Sequence, residues 1–106
     1  MKKHRGIHTS EQAESEQRLH GAIALIETAE EAQKFFNDLC TPMELQSMVD
    51  RWRVLDLLKQ GKPYRKIHEE TGVSVTTVGR VARSVMLGDG GYNLIYDRLK
   101  TPNPVQ

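Results

Sequence analysis

Apolar residues recur along this chain at helical spacing, and the gaps between the runs carry helix start and stop signals. The clearest case lies between Tyr64 and Arg83. Val75, Val78, Val81, Ala82 and Val85 fall on one helical face, and Ile67 marks a shorter run before them. Thr71-Gly72-Val73-Ser74 breaks the two apart. Gly72 suits a tight turn at positive φ, and Ser74 is placed to cap the second helix through its hydroxyl. Ile67, Val73, Val78 and Val81 then point into the corner, while Thr76, Thr77, Arg80 and Arg83 face out. This spacing predicts a helix-turn-helix. The plainer alternative is a helical hairpin with a valine core and solvated arginines. His68 stands where such motifs carry a small residue, which predicts wider packing there, and Thr71 is polar for a corner position.

The flanking sequence extends the helical pattern. A first helix is predicted from Thr9 or Ser10, with Gln12 in a capping-box position and Leu19, Ala22, Ile23 and Ile26 as its stripe. Thr28-Ala29-Glu30-Glu31 repeats the capping pattern before Ala32, Phe35, Phe36 and Leu39. Thr41, Pro42 and Glu44 mark a third start, and that helix runs to about Gln60 and stops at Gly61. Its apolar positions, from Leu45 and Met48 through Val49, Trp52, Val54, Leu55, Leu57 and Leu58, cover more than one face. A surface helix needs a single stripe. This one is therefore central in a monomer or shared with a second chain, and a dimer is the expectation. Trp52 is expected in the core. Gly88-Asp89-Gly90-Gly91 ends the helix after the turn, and Tyr92, Ile95, Tyr96 and Leu99 stripe a last short one before Thr101-Pro102-Asn103-Pro104. No strand pattern or internal repeat is present. The expected fold is all-α with about six helices: a basic tail at 1–8, a helix-turn-helix domain at 9–100 and a tail at 101–106.

Composition changes this picture little. At 106 residues the chain is sized for one domain, and a net charge of +1 gives no argument for nucleic acid. The distribution of charge is more informative. Arg51, Arg53, Lys59, Lys62, Arg65 and Lys66 crowd the middle against Asp56 alone, whereas Glu11, Glu14, Glu16, Glu27, Glu30 and Glu31 lie earlier. A basic middle fits a module with one DNA-facing surface, although any one charge taken singly reads as a solvated face. Cys40 is the sole cysteine, so an intrachain disulfide and a cysteine zinc cluster are excluded, and it reads as a small apolar residue. His4 and His8 stand four apart with no further ligands beside them, so neither metal nor cofactor is expected. There is no signal-peptide pattern and no apolar run of membrane-spanning length, which places the chain in the cytoplasm. No paired His/carboxylate cluster, activated serine or cysteine pattern, or glycine-rich loop opening a helix after a strand is visible, and no enzymatic role is expected.

The candidate contacts to double-stranded DNA follow from the turn. Arg80 and Arg83 carry the chemistry for guanine edges or phosphate, and Ser74, Thr76 and Thr77 sit at the start of the recognition helix. Tyr64, Arg65 and Lys66 open the preceding helix, where phosphate is met by side chains and free N–H groups. Leu39-Cys40-Thr41-Pro42, Glu44, Arg51, Gly61, Tyr64, Ile67, Thr71-Gly72-Val73-Ser74 and Thr77-Val78 with Arg80-Val81 together resemble the Trp repressor family. Within it the chain looks most like the YerC/YecD branch, over roughly residues 19–100. The resemblance implies an intertwined all-helical homodimer that binds operator DNA and regulates transcription.

It also implies an effector pocket. Arg51 and Arg80 fall on the two arginines that sandwich the corepressor indole, Thr41 on a threonine beside the pocket, and Ser84 on a serine that holds the amino group. Val81, however, replaces the glycine on which that indole packs, and a branched side chain there costs about 1–3 kcal/mol or displaces the ring. The link before the turn also looks one residue shorter. The expectation is a homodimeric, sequence-specific DNA-binding regulator, a repressor, that does not answer to tryptophan. Arg51 and Arg80 are left with phosphate, acidic neighbours or a different small anion. The alternative is a protein-interaction or antitoxin-like adaptor on the same scaffold, and a third reading is a nucleoid- or replication-associated DNA binder.

Overall fold

The computed structural model describes residues 9–100, which fold into six α-helices with no strand among them. These are α1 (Thr9–Ile23), α2 (Ala29–Leu39), α3 (Pro42–Lys59), α4 (Tyr64–Thr71), α5 (Val75–Leu87) and α6 (Gly91–Lys100). The basic tail with His4 and His8, and the break at Thr101–Pro104, lie outside the described residues. The chain divides into two compact units at the Thr41–Pro42 junction.

The first unit holds α1 and α2, neither of which buries a residue. Gln12 does not complete a capping box; its amide donates to Glu16 at 3.0 Å, one turn on. At α2 the predicted cap forms. Thr28 is extended, and its hydroxyl accepts from the Glu31 N–H at 3.0 Å. Glu31 in turn reaches back to the Glu27 N–H at 2.9 Å, so two orphan donors at the helix start are satisfied. Phe35 and Phe36 meet edge to face with ring centroids 5.4 Å apart.

The second unit carries the core. Val54 and Leu55 of α3, Ile67 of α4, Val73 of the turn and Val78 and Val81 of α5 are all buried, with Leu57, Leu58, Val85, Tyr92 and Tyr96 packed against them. Each such aliphatic contributes about 1.5–3 kcal/mol over an exposed one. α3 packs against both α4 and α5, and α5 against α6. α6 is tied back by polar contacts: Tyr96 donates to Asp56 at 2.9 Å, Asn93 donates to the Val85 carbonyl at 3.2 Å, and Lys59 donates to Asn93. Of the predicted α6 stripe, only Tyr92 and Tyr96 pack against the core, while Ile95 and Leu99 stay exposed. α3 is apolar on two sides, as its sequence requires. Val54, Leu55, Leu57 and Leu58 serve the core, while Met48, Val49 and Trp52 remain exposed. Trp52 is thus not a core residue of this chain; it is 37% exposed and meets the Tyr96 ring edge on at 6.4 Å.

Candidate nucleic-acid interface

The corner between α4 and α5 is built as the spacing requires. Gly72 ends α4 at φ 78, in the left-handed region, and its N–H closes on the His68 carbonyl at 2.8 Å. Ser74 then caps α5: its hydroxyl accepts from the Thr77 N–H and donates to the Thr77 hydroxyl, both at 3.1 Å. Ile67, Val73, Val78 and Val81 are 0–7% exposed and fill the angle.

Two residues that looked out of place in the sequence stabilise this turn. Thr71 donates its hydroxyl to the Ile67 carbonyl at 2.7 Å and accepts from the Val73 N–H at 3.0 Å. His68 is exposed, so it does not wedge the helices apart. Its Nδ1 lies 2.7 Å from the Val73 carbonyl, and since a carbonyl can only accept, the ring proton sits on Nδ1. Sequence reasoning missed both roles. The polarity of Thr71 next to a glycine was the available signal, because short hydroxyls satisfy backbone groups at turns.

With the corner closed, Thr76, Arg80 and Arg83 project from α5, all exposed and at the i, i+4, i+7 spacing of one face. Thr77 is half-buried, and Ser74 is occupied by its cap, so these two hydroxyls serve the turn first. Tyr64, Arg65 and Lys66 are exposed in the first turn of α4. A β-carbon at Gly79 would stand 3.8 Å from the Tyr64 ring, so the start of α4 lies beside the middle of α5. Among the described residues the one ion pair joins Lys62 to Glu70 at 3.3 Å, and no carboxylate neutralises Arg65, Lys66, Arg80 or Arg83. This leaves a surface of cations and hydroxyls aimed away from the core.

The effector candidates are less coherent. Thr41 closes the first unit, while Arg51, Arg80 and Ser84 belong to the second. Arg51 is half-buried on α3 and Arg80 is exposed on α5. Ser84 lines a surface hollow of ≈ 450 Å³ with Gly88, Asp89, Gly90, Gly91 and Tyr92. Val81 is 1% exposed, which leaves no open face at that position for a ring to stack on. No group of metal-ligating side chains forms among the described residues, and none of their helices is long and apolar enough to cross a membrane.

Fold and corner together define a helix-turn-helix protein. Residues 14–100 match the profile of the Trp repressor family, described as Trp repressor protein, and the chain belongs to that family. It is 40% identical over 82 residues to the uncharacterized protein YerC of Bacillus subtilis (strain 168), covering 77% of this chain and 79% of that protein. A crystal structure from Staphylococcus aureus, of a protein provisionally named a Trp repressor, superposes with a TM-score of 0.77 at 39% identity, over 84% of this chain and 89% of that one. A TrpR-like protein from Eubacterium eligens ATCC 27750 gives a TM-score of 0.77 at 34% identity, over 85% and 93%.

Proposed function

We propose that this protein is a homodimeric, sequence-specific DNA-binding transcriptional repressor that acts in the cytoplasm through α4 and α5 and does not respond to tryptophan. One observation carries the reading. The capped, glycine-turned corner buries Ile67, Val73, Val78 and Val81, although Val75 at the start of α5 stays 49% exposed, and leaves Thr76, Arg80 and Arg83 on one exposed face, with no carboxylate partner among the described residues. A second helix held this way fits the width of a major groove. Arg80 and Arg83 read guanine edges or phosphate. Tyr64, Arg65 and Lys66 meet the backbone at the start of α4, where orphan N–H groups also favour an anion. Family membership supports the same role, and the exposed Met48, Val49 and Trp52 on α3 offer a second copy an apolar surface. The buried Val81 supports the absence of a tryptophan site, and Arg51 is assigned to phosphate or another small anion.

Gel shifts against the DNA upstream of the protein's own coding sequence test the reading. Wild type should retard a defined fragment, lose affinity steeply with added salt and be indifferent to tryptophan. Co-purification with a protein partner and no salt-sensitive affinity for any duplex would favour the adaptor alternative instead.

A further inference from the structure

Gly79 stands in the middle of α5, half-buried, on the face that carries Thr76, Arg80 and Arg83. A glycine there weakens the helix relative to alanine, because it surrenders more backbone freedom on folding. Nothing among the described residues requires it. Its φ is not positive, unlike those of Gly61, Gly72 and Gly90, and it lacks the tight backbone contact that Gly88 makes with the Ser84 carbonyl. A β-carbon at Gly79 would meet Cε2 of Tyr64 at 3.8 Å, an ordinary contact that asks nothing to move. Gly21 is equally open, but it lies in the last turn of α1, where the cost to the helix is small.

The surroundings give the gap a purpose. The Tyr64 ring, 44% exposed, stands against it, so Gly79 forms the floor and Tyr64 one wall of a notch. The cations of Arg80 and Arg83 stand on the same helix face. Glycine at such a place lets a rigid partner approach the helix backbone more closely than any side chain permits. We infer that Gly79 is a specificity-determining residue: the notch receives the edge of a base pair in the major groove, with the Tyr64 ring against its flank. This rests on the duplex-binding reading above, and the two can fail separately.

The test compares full-length wild type with Gly79→Ala on two duplexes at one salt concentration, alongside thermal unfolding. One duplex is selected by wild type from a random pool; the other is an unrelated sequence of equal length. The variant should melt higher by about 4 °C. It should bind the selected duplex about tenfold more weakly, and the unrelated one as wild type does. Undiminished affinity for the selected duplex overturns the inference while leaving duplex binding intact. So does an equal loss on both duplexes, which would put the gap against phosphate, or a lowered melting temperature, which would mean that the chain itself needs the space. A wild type that selects no duplex overturns both readings.

Discussion

Gly72 and Ser74 set the direction in which α5 leaves the turn, and each does so through a single atom-level feature. At φ 78 the backbone of Gly72 lies where a β-carbon crowds the following carbonyl. Gly72→Ala should therefore lose about 1–2 kcal/mol in urea unfolding, with Gly72→Asn losing less because asparagine tolerates that region. Ser74→Ala removes the acceptor for the Thr77 N–H and should cost about 1 kcal/mol in the same assay. Arg80 lies outside this scaffold. Arg80→Ala should leave unfolding unchanged and weaken binding to a selected duplex by about 1–3 kcal/mol in a titration. Glycine and serine were legible in the sequence because their roles depend on near neighbours alone. His68 and Thr71 were not. Thr71 reaches the Ile67 carbonyl one turn back within α4, but the Val73 carbonyl that His68 meets and the Val73 N–H that Thr71 accepts from come within reach only once the chain has turned at Gly72.

Among the elements, α3 explains most of what the hydrophobic pattern predicted and where it fell short. Its two apolar sides were visible as an excess of leucine, valine and methionine over what one stripe needs. The pattern could not divide them. Val54 and Leu55 face the helix-turn-helix, while Met48, Val49 and Trp52 stay exposed, so Trp52 read as core by its size alone. Under the proposed dimer these three residues are covered by the second copy. Val49→Glu would then bury a charge without a partner, raising the dimer dissociation constant about a hundredfold; sedimentation should show a monomer with unchanged helicity. A Val49→Glu protein that still sediments as a dimer would move the interface elsewhere. α6 depends on a polar tie instead. The hydrogen bond that Tyr96 donates to Asp56, with desolvation and the carboxylate's charge adding to it, raises the phenol above the ordinary tyrosine value of 10.0. The folded state thus favours the neutral phenol. Its contribution is intact below pH of about 10 and is lost as pH rises through the raised value. Alkaline unfolding followed by circular dichroism should show that loss in wild type and a flatter curve in Tyr96→Phe.

At the scale of the molecule, the net charge of +1 conceals a division of labour. The unit containing α1 and α2 carries Glu11, Glu14, Glu16, Glu27, Glu30 and Glu31, and the unit containing the helix-turn-helix carries Arg65, Lys66, Arg80 and Arg83 without carboxylate partners among the described residues. Helix number and order were readable from the sequence because α2 and α5 start at a capping hydroxyl and α3 and α4 at a proline, while glycines mark the breaks before α4 and α6. The division into two units was not, because it depends on which stripes find a neighbour. Under the proposed dimer, four such cations from each protomer are enough to displace several counterions from a duplex. The most direct measurement is the affinity of the purified protein for its selected duplex as a function of salt, with and without tryptophan. Log affinity should fall linearly with log salt, with a slope between about −4 and −7, on one line whether or not tryptophan is added. A flat salt dependence, or a duplex bound only once tryptophan is supplied, would contradict the account.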